Sequence, residues 1–209
     1  MRLKLTIAYD GRPFGGWQIQ PHADTIQERI ETALREVAGE PLRIHGSGRT
    51  DAGVHATGQV AHFDAPDQLT MNPVNWLAAL NTKLPATIRI MDCEEAAPDF
   101  HARFSTTGKC YQYELSTAPI LPPRQAGLAW HLPRQLDPAT LEEALAFFRG
   151  THDFRAFAAN RGNEMNRRTP TTFEPSPRRP STLFRQATSF PSPATAFSTG
   201  WCASSPAWP

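Results

Sequence analysis

Between Leu3 and Met91 the spacing of apolar residues changes period in a fixed order, and that order admits few folds. Leu3 to Tyr9 alternates apolar and polar residues and runs into Asp10-Gly11, a strand ending in a turn. Ile26, Ile30, Ala33, Leu34 and Val37 then recur on one face of a 3.6-residue period, with Asp24 or Thr25 to cap the start and Gly39 the end. Pro41 to His45 and Gly58 to Asp64 predict two strands on either side of a glycine-rich loop. Asn72-Pro73 supplies an N-cap and first helical position for a second helix to about Asn81, which Leu84-Pro85 stops, and Thr87 to Met91 is again strand-like. Strand, helix, strand, strand, helix, strand is the split βαβ order of a ferredoxin-like α+β lobe, here over residues 1–105.

A second α+β unit opens in residues 106–164. Lys109 to Leu115 is a strand with alternating aromatics, Gly127 to Leu132 is expected to pair with it, and Pro138 to Phe148 is a helix ended by Gly150. The pattern then stops. From Met165 to Pro209 there is no Val, Ile, Lys, Asp, His or Tyr; Ser, Thr, Pro, Arg and Ala dominate, and no window has helical or strand periodicity. A composition so poor in apolar residues does not offset chain entropy of roughly 1–2 kcal/mol per residue, so residues 165–209 are expected to form an irregular, disordered or non-native tail.

Charge narrows the function classes little. The formal net charge is +1, but residues 165–209 carry five Arg against one Glu, which leaves 21 − 5 = 16 Lys+Arg against 20 − 1 = 19 Asp+Glu in residues 1–164. A phosphate-binding surface on the first part has to be a local patch on an acidic body. Cys93, Cys110 and Cys202 are odd in number and widely spaced, which fits reduced thiols and neither a disulfide framework nor a zinc pattern. The opening MRLKLTIAYDG has no long apolar run, so no signal peptide or membrane span is expected, and a cytoplasmic location follows.

Chemistry concentrates in Gly46 to Phe63, where Gly46, Gly48 and Gly53 bracket Arg49-Thr50-Asp51 between two strands. Glycines there permit tight turns and leave a carboxylate near the floor of a cleft. Three roles are open to Asp51: nucleophile or general base, metal ligand, or a turn residue bonding its own backbone. The residues by themselves favour the turn role. Against it, Arg49 stands two positions away, placed to keep a carboxylate ionised or to meet a phosphate. A metal site has little to draw on, because no second carboxylate is near and His45, His55 and His62 are dispersed along the chain.

The segment GRTDAGVHATGQVAHF resembles the second motif of TruA-type tRNA pseudouridine synthases nearly residue for residue. The resemblance continues in order through Tyr9-Asp10-Gly11, Phe14 to Gln20, Asn81 to Pro85, Phe100 to Phe104 and Lys109 to Tyr113, over about residues 3–160. It implies the pseudouridine synthase fold and a cofactor-free isomerisation without metal, in which uridine is detached at N1–C1′, turned, and rejoined through C5. The family's substrate is the anticodon stem-loop of tRNA, and its members work as homodimers. Carried over, Asp51 is the catalytic aspartate, Tyr111 the active-site tyrosine that stacks on the target base, and Arg49 the residue that helps extrude the nucleotide. Arg103 is a candidate phosphate contact, with a structural ion pair as its alternative. Flipping a stacked uridine costs a few kcal/mol. Gly15, Gly16 and Trp17 line the RNA cleft or, for Trp17, pack beneath it.

Agreement with the family ends after Arg161 to Glu164, and the strand-rich part expected next is not legible. Joining the last nucleotide of each codon to the first two of the next gives a constrained alternative frame. Across Pro193 to Ala207 that frame permits Gly-Asp-Gly-Phe-Leu-Tyr-Arg-Met-Val-Arg-Leu-Leu-Ala-Gly, and the Trp201–Cys202 junction requires its Val. A frameshift near Asn163–Met165 is therefore expected, with loss of the family's C-terminal part and of activity. Two rival functions stand beside the enzyme: a non-catalytic RNA-binding module using exposed aromatics on its sheet, and a frameshifted pseudogene product. A hydrolase is more remote, since no Ser or Cys nucleophile sits beside a plausible base.

Overall fold

A computed structural model of the chain describes residues 1–134, 136–153, 171–175, 183–186 and 195–204. Two compact units are present, one comprising Met1–Thr106 and the other beginning at Thr107.

The first unit is built on β1 (Arg2–Tyr9), whose strict alternation buries Leu3, Leu5, Ile7 and Tyr9 and leaves the intervening residues half-exposed. Helix α1 (Ile26–Ala38) begins at Thr25, whose hydroxyl accepts the Glu28 N–H, and ends at Gly39 in the left-handed conformation. Asp24, the other N-cap candidate, instead pairs with Arg29. Strands β2 (His45–Gly46) and β3 (Ala56–Asp64) follow, then α2 (Pro73–Lys83) and β4 (Ile88–Glu95). The sheet order is β2-β3-β1-β4, and every adjacent pair is antiparallel. The core is one cluster in which Leu3, Leu5 and Ile7 meet Ile26, Ile30 and Leu34 of α1 and Trp76 and Leu80 of α2.

Two of the strand boundaries that differ from expectation have identifiable causes. The strand expected over Pro41–His45 shrinks to His45–Gly46: Pro41 has no N–H to donate, and the Ile44 N–H goes to the Glu31 carboxylate at 3.2 Å. Strand β4 runs four residues beyond Met91 because β1 pairs with it throughout, from Tyr9↔Ile88 to Leu3↔Glu95. In its acidic end, Asp92-Cys-Glu-Glu95, Glu94 meets Lys4 across the strands at 2.6 Å.

In the second unit β5 (Gly108–Ser116) pairs in parallel with β6 (Trp130–His131), at Leu115↔Trp130 and Ser116↔His131. Helix α3 (Pro138–Ala146) starts at Asp137, whose carboxylate accepts the Ala139 and Thr140 N–H groups, and β7 (Gly150–His152) follows. Within the stretch expected to be an irregular tail, the described residues form β8 (Thr171–Pro175), β9 (Leu183–Gln186) and β10 (Thr195–Ser204). Strand β10 runs antiparallel to β5 from Ala196↔Ser116 to Ser204↔Gly108 and also pairs with β8 and β9. Ladder bonds join backbone groups, so pairing along an open edge does not require side-chain periodicity. The expected frameshift point at Asn163–Met165 lies outside the described residues.

Cys93 is buried, and Cys110 is exposed. Burial, with Asp92 and Glu94 alongside, raises the Cys93 thiol to about 11, which leaves it inert at neutral pH. Among the described residues no helix is long and apolar enough to cross a membrane.

Candidate active site

Asp51 lies in the loop from β2 to β3, and the shape of that loop is imposed from behind by the segment that follows β1. Tyr9, the last residue of β1, is buried and shares a hydrogen bond with Thr50 Oγ1 at 2.9 Å. The Trp17 N–H donates to the Thr50 carbonyl at 3.0 Å, and the Gly53 N–H donates to the Phe14 carbonyl at 3.3 Å. The two loops touch so closely that side chains are excluded. Gly16 has φ 102°, and a Cβ there would stand 2.6 Å from the Thr50 carbonyl oxygen. At Gly11 a Cβ would overlap the Val54 carbonyl.

Asp51 is thus held on both flanks while its own side chain is exposed. The turn is closed by its carbonyl, which accepts the Val54 N–H at 3.2 Å, and among the described residues no backbone N–H donates to its carboxylate. Nor is it spent on Arg49: that side chain is exposed as well, and among the described residues no ion pair joins the two. A fixed backbone carrying an unengaged carboxylate suits a nucleophile or a base.

The nearest acidic rival on the adjoining loop is occupied. Asp10 accepts from the Arg12 guanidinium and from the Arg12 N–H, and lies 3.3 Å from His55 Nδ1. The Arg12 hydrogen bonds hold its carboxyl down at about 2, far too acidic for a base at neutral pH. Asp10 serves as a clamp for the turn after β1.

Histidines that are scattered in sequence meet in space. His45 on β2 faces His62 on β3 as a cross-strand pair with ring centroids 5.1 Å apart, and His101 closes on His62 at 4.7 Å. Phe100 and Phe104 pack at the edges of this group. His62 is buried, and its Nδ1 accepts the Ala102 N–H at 3.1 Å, which places its ring proton on Nε2. Burial first, then His101 and His45, lower its pKa to about 4. Among the described residues no group of three His, Cys, Asp or Glu side chains is arranged to hold a metal ion.

Residues 5–105 match the family model described as tRNA pseudouridine synthase. The tRNA pseudouridine synthase A of Akkermansia muciniphila is 59% identical over 163 residues, which cover 78% of this chain and 62% of that protein. The tRNA pseudouridine synthase A 1 of Desulfotalea psychrophila is 44% identical over 165 residues, 79% of this chain and 64% of that protein. The tRNA pseudouridine synthase A of Oceanobacillus iheyensis is 42% identical over 173 residues, 82% of this chain and 68% of that protein. The chain belongs to the tRNA pseudouridine synthase A family. It spans less than two thirds of the length of the first two of these relatives.

Within this family member the four expected site residues are distributed unevenly. Arg49 and Asp51 share the β2–β3 loop, and Arg103 is exposed in the segment after β4 of the same unit. The ion-pair alternative for Arg103 has no counterpart: its backbone N–H donates to His101 Nδ1 at 3.2 Å, and no carboxylate pairs with its side chain among the described residues. Tyr111 belongs to the second unit, on β5, where it and Tyr113 are exposed on alternate positions of the strand. Trp17 does not line an open cleft. It is only 2% exposed, stacks obliquely on Tyr9, and lies directly under Gly46. The His62–His101 contact and the Tyr9–Thr50 bond escaped sequence reasoning because their members lie about 40 positions apart. The one available signal was that Tyr9, Thr50, His62 and His101 all fall inside the ordered family motifs.

Proposed function

We propose that this chain carries the catalytic lobe of a tRNA pseudouridine synthase, which isomerises uridine to pseudouridine in the anticodon stem-loop without metal or organic cofactor. The observation that carries this reading is the Asp51 carboxylate: exposed and unengaged among the described residues, on a backbone anchored at Thr50 and Gly53. Asp51 acts as the catalytic group, by attack on the sugar or base or by assisting glycosidic cleavage. Arg49 enters the space of the extruded nucleotide, Tyr111 stacks on the flipped base, and Arg103 contacts a phosphate. The sheet order β2-β3-β1-β4 with two intervening helices supports a ferredoxin-like lobe. By family membership the protein works in the cytoplasm as a homodimer on tRNA.

We further infer that residues 165–209 are read out of frame, so that the 209-residue chain binds tRNA weakly and turns over little. Nucleotides around codons 160–170 that fail to spell family residues in the shifted frame would remove this inference. The enzyme reading is tested with Asp51→Asn, both in this chain and in one with the downstream frame restored. Pseudouridine formation is expected to vanish while tRNA affinity stays within a few-fold. An Asp51→Asn protein that still forms pseudouridine would leave the RNA-binding-module reading in its place.

A further inference from the structure

We propose that Tyr9 and Thr50 are positioning residues for Asp51, acting through the hydrogen bond between their hydroxyls. This inference rests on the catalytic reading of Asp51.

Its basis is the division of labour along the loop. Thr50 immediately precedes Asp51 and is held twice: its carbonyl by the Trp17 N–H at 3.0 Å, and its side chain by Tyr9 at 2.9 Å. Gly53 is tied to the Phe14 carbonyl at 3.3 Å on the other flank. The backbone bonds fix where the loop passes, but a single carbonyl contact leaves the peptide free to rock about its long axis. A second tether at Thr50 Oγ1, off that axis, removes this freedom. Tyr9 is suited to provide it because it is paired on both sides, to Ala56 of β3 and Ile88 of β4, and is 4% exposed, with its ring packed on Trp17 at 6.1 Å. Its hydroxyl reaches out of the core to a partly exposed residue, so the rigidity of the sheet passes to the residue beside the carboxylate. A misplacement of about 1 Å at a reacting group can cost about 100-fold in rate, which is the scale such a tether guards.

The test uses the full chain with Tyr9→Phe, Thr50→Val, Thr50→Ser and the double variant Tyr9→Phe/Thr50→Val. Amide hydrogen exchange should accelerate about fivefold at the hydrogen-bonded Gly53 and Val54 amides in Tyr9→Phe and Thr50→Val, with β1 and β3 unchanged. Thr50→Ser, which keeps the hydroxyl, should restore slow exchange. The double variant should be no faster than either single one, as for two ends of one bond. Unchanged loop exchange, or acceleration spread over the whole unit, overturns the proposal. Turnover, measured in the chain with its downstream frame restored, supplies the second arm: kcat should fall with tRNA affinity unchanged, and Thr50→Ser should recover it; equal, measurable kcat in all variants also overturns it. Little turnover is expected of the 209-residue chain, so there the exchange pattern decides whether the tether holds Asp51; no turnover in the frame-restored parent counts against the proposed function alone.

Discussion

The Ala102 N–H donates to Nδ1 of His62 at 3.1 Å, joining the segment after β4 to a histidine on a central strand 40 residues earlier. Ala61 and Phe63 on either side of His62 are buried as well, so both faces of β3 are covered at this point. Phe100 and His101 form the cover over His62, and an acceptor nitrogen there requires a neutral ring.

Stability should therefore fall with acid through a defined window. Burial, His101, His45 and Arg2 lower the folded pKa of His62 to about 4, with Asp64 opposing them, against 6.5 when unfolded. Above pH 6.5 both states hold a neutral ring and the full stability is present. Between pH 6.5 and 4 the unfolded state binds the extra proton, so stability is lost as pH falls, by at most on the order of 3 kcal/mol. Urea titrations from pH 7.5 to 4 should follow this slope, and His62→Gln, which can still accept the Ala102 N–H, should flatten most of it. A slope unaffected by that substitution would place the acid sensitivity elsewhere.

Gly16→Ala should do more harm than an ordinary loop substitution. The residue is at φ 102°, and the new methyl would collide with the Thr50 carbonyl at 2.6 Å. The strained backbone should cost about 1–3 kcal/mol, and relief requires Thr50-Asp51 to move. A lower Tm together with lost turnover is expected; a Tm within a degree of the parent would show that the two loops separate freely.

Asn81 completes β4 from the outside. Its side chain accepts the Ile90 N–H at 2.9 Å and donates to the Ile90 carbonyl at 2.8 Å, beside the irregularity where β4 shifts register against β1. Asn81→Ala should leave two partly buried backbone groups unpaired and cost about 2–3 kcal/mol, measured by chemical denaturation. Asn81→Asp keeps only the acceptor and should fall between. Equal stability of all three proteins would mean that water replaces the side chain.

Arg49 and Arg103 are exposed cations without an ion partner among the described residues. If Arg103 meets a phosphate, Arg103→Ala should weaken tRNA binding and reduce the slope of log affinity against log salt by about 0.7–0.9. Arg49→Ala should lower kcat more than affinity, since its role begins when the nucleotide leaves the stack. Filter-binding titrations at several salt concentrations separate the two; an unchanged slope for Arg103→Ala removes it from the phosphate contacts.

Much of the first unit was legible because its signals are local. The alternation of Leu3, Leu5, Ile7 and Tyr9, the caps at Thr25, Gly39 and Asn72, and the stop at Leu84-Pro85 depend on neighbours a few residues away, and each falls where periodicity and capping chemistry put it. The loop bearing Asp51 was legible for the same reason. Packing decided the rest. Whether Trp17 faces RNA or core depended on Gly46, whether Asp10 or Asp51 keeps an unengaged carboxylate depended on Arg12, and whether three histidines form a group depended on strand register. The strands at Thr171–Pro175, Leu183–Gln186 and Thr195–Ser204 carry no pattern to read, since they are defined by backbone pairing. By itself the sequence determined the order of elements in the first unit and the loop that presents Asp51, because those follow from local propensity and spacing. Only the tertiary structure decided what holds that loop still, because its tethers cross about 40 residues and exist only once β1 and β3 lie side by side.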